Sequence, residues 1–448
     1  MADPGTFADK AAKPVYDLLH DEDAGRMCAD IPEAACAHQP RNFVISALAL
    51  SLTKTGDRLM DPKIVLAWMV TALGAPAAII GLLSPVREAL ALLPQLFIAR
   101  IIRQRPRRKF FWSLGSAGQA AALVLMAFCA GLLQGWPLGL GVLASLALFA
   151  LSRGVSSVSY KDVLGKTVAK SRRGAVAGYA ASIGGIAASA LGVWLMVRQA
   201  NGNDPGAAFF AGILLAAACL WLLAAALYLL LAEAPGSTTG GANAFDAVRE
   251  QLALVWKAPD LRDFLIVRAL LISTALATPF YVAIAQGQTG ADLSGLGGFL
   301  LAGALASVAG GWVWGRAADA SSRLVMAAAG LLAALVAALV LVVLLLDLPL
   351  SSSPAFFIGA VFLLALAHEG VRLGRSTYLV DLATEKTRAS YTAVSNSVIG
   401  VLLMMMGAIA GAAFSFGAPY ALAALGVCSL AASIMAVRLK PVSGTQER

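Results

Sequence analysis

Lys54, Asp57, Arg58 and Asp61 recur at i, i+3, i+4 and i+7, a spacing that puts all four on one face of a helix. The apolar residues before them, Phe43 to Leu52, are too few to cross a bilayer, which takes about 20 residues. The spacing therefore predicts one helix running through the charges, from Asn42 to Leu73. Charge at that depth is costly and normally faces a wet cavity or a partner. Two uses are open. The four groups can neutralise one another as helix neighbours and stiffen the helix. Alternatively they line a cavity, bind a small ionic group and carry a proton on Asp57 or Asp61, because a low dielectric favours the neutral acid. Gly56, between them, favours close approach of another helix or a ligand.

Further ionisable residues interrupt apolar runs downstream: Arg87 and Glu88, Arg268, then His368, Glu369 and Arg372. An arginine–carboxylate pair between the first and second runs is expected, with Glu88 a second proton candidate. Glu369 and Arg372 stand at i, i+3 and can pair locally. His368 is read either as a packed neutral imidazole or as a titrating contact. Arg153, Lys161, Asp162, Arg375 and Asp381 fall near the ends of their runs. They are expected to latch two parts of the molecule, with snorkelling to the interface an alternative for Lys161 and Arg375. Counted together, the deep basic groups (Lys54, Arg58, Arg87, Arg153, Arg268, Arg372) outnumber the acidic ones (Asp57, Asp61, Glu88, Glu369). That excess leans towards an anionic or zwitterionic ligand. Lys54-x-x-Asp57-Arg58 is also similar to the E-x-x-E-R signature of proton-coupled peptide transporters, with lysine in place of the first acid.

The elements that must position these groups follow from composition. The chain is 59% hydrophobic and 13% charged over 448 residues, against about 25% charged in soluble domains. Its apolar runs are about 20 residues long rather than alternating tens, so an all-α polytopic membrane protein is expected. The net charge of +9 does not point to nucleic acid, because Lys and Arg cluster in short loops between spans. Twelve spans are expected, at 42–73, 76–102, 110–132, 138–163, 174–197, 207–231, 262–286, 294–317, 322–346, 354–380, 389–412 and 417–437. Basic turns alternate with neutral ones, which places both termini on the cytoplasmic side of the cell's inner membrane. The expected organisation is an acidic tail (1–41), a six-helix half (42–231), a linker with a surface helix from Ala244 to Trp256 (232–261), a second six-helix half (262–437) and a short tail (438–448).

The acidic tail contains His20, Cys28, Cys36 and His38, a weak metal-ligand candidate whose spacing matches no compact zinc knuckle. The alternative is a solvated or docked tail with two reduced thiols. Cys129, Cys219 and Cys428 are expected to pack, as are Met404, Met405 and Met406, since consecutive helical residues do not converge on a metal. No phosphate-binding G-x-x-x-x-G-K-[ST] occurs, and no cofactor is implied.

The six-plus-six layout suggests an internal repeat. Arg153-Gly154-Val155 precedes a helix end and a basic loop, and so does Glu369-Gly370-Val371, pairing span 4 with span 10. Gly315-Arg316-Ala317-Ala318-Asp319-Ala320-Ser321-Ser322-Arg323, between spans 8 and 9, looks like the G-x-x-x-D loop of the major facilitator superfamily. In first-half residues 97–109 only the basic end of that pattern is present. The chain thus resembles this superfamily over residues 42–437. The resemblance implies two pseudo-symmetric six-helix halves, a latch at Gly315, Asp319 and Arg323, and a monomeric, non-enzymatic secondary transporter working by alternating access. Its expected partners are a small solute, protons and the lipid bilayer, and no nucleic acid. A sensor acting through the tail and a drug or metabolite efflux antiporter are the alternatives. A lipid-modifying enzyme would need a convergent nucleophile or metal set, and none with specific spacing is present.

Overall fold

A computed structural model describes residues 36–92, 104–199, 206–236, 255–289, 293–384 and 387–442, with a few isolated positions between them. The described residues are almost entirely helical. The first half comprises α1 (Gln39–Leu59), α2 (Val65–Ala72), α3 (Ala77–Leu92), α4 (Lys109–Leu132), α5 (Gly135–Thr167), α6 (Lys170–Gln199) and α7 (Ala207–Leu229). The second comprises α8 (Pro259–Leu270), α9 (Ile272–Thr289), α10 (Leu293–Leu345), α11 (Pro354–Leu382), α12 (Arg388–Phe416) and α13 (Ala418–Val437). Among the described residues ten spans are long and apolar enough to cross a membrane. The helices of the first and second expected spans, α1 with α2 and α3, are not among them. His20, Cys28 and most of the expected linker helix lie outside the described residues.

The expected continuous helix from Asn42 to Leu73 is corrected: α1 stops at Leu59 and α2 begins at Val65. Pro62 is the cause, because it donates no backbone hydrogen bond and clashes with the preceding turn. The gap is closed locally. Asp61 Oδ1 accepts from Lys63 N at 2.8 Å, and Asp61 O accepts from Leu66 N at 3.0 Å, so backbone groups at this depth are answered within the protein. The seventh span is interrupted more mildly, at Leu271 between α8 and α9. There the Ser273 and Thr274 hydroxyls donate to the carbonyls of Leu270 and Leu271 at 2.7 and 2.9 Å. The expected loop between spans 8 and 9 is also tighter than the sequence suggests. Helix α10 runs through Gly315 and turns only at Ser321, whose backbone is extended.

The repeat is visible in the capping of spans as well. Lys109, opening α4, donates through Nζ to Leu229 O and Leu231 O, both at 2.7 Å. Arg323, opening span 9, donates to Val437 O and Leu439 O at 3.0 and 2.9 Å. In each half a cation at the start of the third span satisfies the orphan carbonyls at the end of the sixth.

The two halves meet tightly at the end away from the termini. There one apolar core runs through both, including Met60, Trp68, Phe280 and Phe299. Nearer the termini the core divides into clusters confined to one half: Trp112, Tyr228 and Ile45 in the first, Phe264, Tyr378 and Met326 in the second. Glycines make the far contact possible. A methyl group on Gly81 would lie 2.5 Å from Gly411 Cα, and one on Gly297 would lie 2.4 Å from Gly192 O. Gly81→Ala should therefore lower the melting temperature in detergent or pry the far side open, measured as faster maleimide labelling of a cysteine placed there. Gly131→Ala, with nothing within 4 Å, should do neither.

Candidate functional site

In the first half the deep charges form a clamp rather than a single-helix ladder. Asp57 lies between two guanidiniums from different helices. Arg87 of α3 donates to its Oδ1 at 2.8 Å, and Arg153 of α5 to Oδ1 and Oδ2 at 2.8 and 3.1 Å. Arg87 also holds Glu88 Oε1 at 2.8 Å. The clamp ties spans 1, 2 and 4 together. The Asp57 side chain is only 13% exposed, whereas that of Glu88 is 49% exposed, to the space between helices. Lys54 is exposed beside Asp57, and Arg58 is half-buried on the same helix. Neither Lys54 nor Arg58 has a carboxylate within ion-pair distance among the described residues. Gly56 abuts α7, where an added methyl would meet Trp221 Nε1 at 2.9 Å.

At the break in span 1 stands Lys63, which the sequence reading passed over. Its Nζ lies 3.3 Å from His368 Nε2 on α11, and His368 Nδ1 lies 3.1 Å from Thr274 Oγ1 on α9. The donors fix the wiring. An ammonium only donates, so Nε2 accepts and Nδ1 carries the proton. Nδ1–H then donates to Thr274 Oγ1, whose own hydrogen goes to Leu271 O. This chain joins the broken span of one half to the broken span of the other. Pro62 was the signal in the sequence, a helix breaker inside a run read as continuous.

The second half holds the remaining groups apart. Arg268 is buried, with 8% of its surface exposed. Its guanidinium donates to Ser395 Oγ and, at 3.1 Å, to Asn396 Oδ1, while its Nε has no partner. Glu369 pairs with Arg372 at i, i+3, with Nε donating at 2.8 Å, and accepts from Ser307 Oγ at 3.3 Å. Arg375 is half-buried on α11. Among the described residues no carboxylate lies within ion-pair distance of Lys63, Arg268 or Arg375.

The expected latch residues are placed as follows. Asp162 pairs with Arg108 and with Lys166, the latter at 2.8 Å, all within the first half. Lys161 and Asp381 are exposed. Arg323 is the cap described above, an added methyl on Gly315 would meet nothing within 4 Å, and the side chain of Asp319 lies outside the described residues. Glu233 is a further residue that sequence reasoning missed. Its fully buried carboxylate accepts from the backbone N–H of Arg108 and Lys109 at 2.9 and 2.8 Å, and from Lys166 Nζ at 2.7 Å. It thereby caps the N-terminus of α4 from the end of span 6. Its sequence signal was a lone acid between an apolar run and Pro235. Cys36 is disulfide-bonded, which corrects the reduced-thiol expectation and withdraws its thiolate from a metal set. Among the described residues no three His, Cys, Asp or Glu side chains converge on one point.

The fold is similar to that of solved transporters with the major facilitator fold. The nucleoside transporter NupG matches with a TM-score of 0.64 at 11% identity, over 88% of this chain and 99% of NupG. A POT family transporter crystallised with a thioalcohol-conjugated peptide matches with a TM-score of 0.65 at 13% identity, over 91% and 98%. The xylose transporter XylE from E. coli, in an inward open conformation, matches with a TM-score of 0.65 at 9% identity, over 90% and 97%. No family model matches the chain, and no curated protein matches it by sequence. At these identities the likeness establishes the fold.

The clamp makes a thermodynamic claim. Removing one partner of a buried ion pair costs about 3 kcal/mol or more, because the other charge is left uncompensated. Asp57→Ala should therefore destabilise the protein strongly in reversible detergent unfolding. The Asp57→Ala/Arg153→Ala double variant should be less damaged than the sum of the singles, by about 1 kcal/mol or more. Additive losses would mean that the two groups do not interact.

Proposed function

We propose that this protein is a secondary transporter that carries a small anionic or zwitterionic solute across the membrane by alternating access. The observation that carries this reading is a pair of deep cations, Lys63 from the first half and Arg268 from the second. Both are hydrogen-bonded only to neutral groups. A buried guanidinium or ammonium without a counter-ion is costly. An anion entering between the halves would supply that counter-ion. The solute's negative group would be drawn to these cations, and the Lys63–His368–Thr274 chain would break or re-form as the halves move.

Residues 42–231 and 262–437 are the two moving bodies in this reading. Their shared far-side core and divided cores near the termini support a reading in which the molecule is open on the terminal side. The clustering of Lys and Arg in the terminal-side loops supports a cytoplasmic placement of that side, and in this reading the state is inward-facing in the inner membrane. Glu88 is the best-placed proton carrier of the candidates. Asp57 is held by two guanidiniums, Asp61 is occupied in closing the helix break, and Glu88 has one guanidinium and an open face. Glu369 and Arg372 form a local pair on the opposing half, and Arg375 faces the same interface as a cation that the solute or a latch would engage. The closed form would bring the Asp162 and Asp381 ends of spans 4 and 10 together.

Charge selectivity tests this reading. Proteoliposomes on a solid-supported membrane should give transient currents with some members of a panel of small carboxylates and phosphates, and none with their amides or with organic cations. Arg268→Gln and Lys63→Gln should each cut that response by about tenfold or more, the weight of one hydrogen bond to a charged group. Glu88→Gln should retain solute exchange and lose accumulation driven by an inward proton gradient. Responses confined to cations, or insensitivity to both Gln variants at positions 63 and 268, would overturn the anion assignment.

A further inference from the structure

A cavity is lined, among the described residues, by side chains of the first half alone. It has a volume of about 330 Å³ and is enclosed by α1, α4, α5, α6 and α7. Pockets of this size hold small organic ligands. Its lining is divided in character. Lys54 and Arg153 make one wall cationic, and Asp57, the only carboxylate among the described lining residues, is already taken by two guanidiniums. The floor is aromatic. Trp112 is stacked on Tyr228 with ring centroids 3.9 Å apart, and Trp221 stands edge-on to Phe149 at 5.5 Å. Both indoles are buried and braced from behind, and so form fixed plates.

The floor also carries polar atoms with nothing to bond. Gln119 is fully buried and lines the cavity. Its Nε2 donates to Gly115 O at 3.2 Å, and its Oε1 has no partner. Trp221 Nε1 is also buried and unpartnered, but it packs against Gly56 of α1 and is not offered to a ligand. Buried polar groups are nearly always satisfied, so an orphan acceptor at the back of a cavity marks a place for a ligand donor.

We infer that this cavity binds a flat aromatic carboxylate. The carboxylate sits at the mouth on Lys54, beside the Asp57-bound Arg153, the ring lies between the Trp112 and Trp221 side chains, and a ring N–H donates to Gln119 Oε1. Lys54 is exposed, as a group at the mouth must be, while Gln119 is fully enclosed. The two cations exclude an organic cation from the same place, and the aromatic floor disfavours a small hydrated anion. The site stands whether or not its ligand is carried across the membrane.

Indole-3-acetate is a probe that meets each requirement. Equilibrium binding of the radiolabelled acid to the purified full chain in nanodiscs should be saturable with one site. Its neutral amide and the cation tryptamine should compete at least tenfold less well, and hexanoate, which lacks the ring, should also be weak. Lys54→Met removes an exposed charge, and Ala177→Phe fills the cavity from an exposed position on α6. Each should weaken binding at least tenfold while leaving the melting temperature of the unliganded protein within a few degrees. No saturable binding to the unaltered chain, equal competition by tryptamine, or binding that survives both substitutions would overturn the proposal. Arg268→Gln separates this site from the interface between halves, since it should leave indole-3-acetate binding unchanged. Loss of binding in that variant would also count against a separate site.

Discussion

A charge in the hydrocarbon layer has to be answered by another charge, by hydrogen bonds or by water. The structure answers its deep charges unevenly. Asp57 is over-provided, with guanidiniums from α3 and α5 closing on one carboxylate. That clamp ties spans 1, 2 and 4 to one another. Lys63 and Arg268 are under-provided, each resting on neutral acceptors. The first arrangement suits a permanent structure. The second suits a place where a mobile anion comes and goes, because a group already neutralised has little free energy left for a ligand.

The helix breaks are the second consequence of the same constraint. Broken helices at membrane depth are tolerated where side chains re-satisfy the freed backbone. In span 1 the Asp61 carboxylate does this after Pro62, and in span 7 the Ser273 and Thr274 hydroxyls do it without a proline at the break. The breaks lie across from each other and share His368. Motion of one half relative to the other would therefore be felt first at this one imidazole. On the far side the glycine contacts between α3 and α12 and between α6 and α10 let backbones touch directly, and packing of that kind favours two discrete arrangements over continuous sliding.

Much of the fold was legible because hydropathy and loop charge are local signals. The helical class and most of the spans follow from runs that can be read in order. The pair between spans 1 and 2 was also foreseeable, since Asp57 and Arg87 each needed a partner at similar depth. The break in span 1 was missed because filling a short apolar run to membrane length outweighed Pro62, and Lys63 was lost with it. Glu233 and the neutral surroundings of Arg268 were out of reach for a different reason. Both depend on residues more than 100 positions away in the chain, and nothing local marks them. The basic end of the first-half loop motif turned out to matter through Lys109 and Arg108, which serve helix ends and a buried acid rather than a missing aspartate.

Opposed motion of the two halves is the central claim, and spin-label distances test it directly. Phe110 and Leu324 are exposed at the terminal-side starts of spans 3 and 9, and Leu132 and Leu346 are exposed at their far-side ends. Nitroxide pairs at 110/324 and at 132/346 can be followed by double electron–electron resonance in nanodiscs, with and without a solute that elicits transport current. The account predicts that a solute or a pH change populates a second state in which the 110/324 distance shortens while the 132/346 distance lengthens. A single, condition-independent distance for each pair, or distances that change in the same direction, would contradict it.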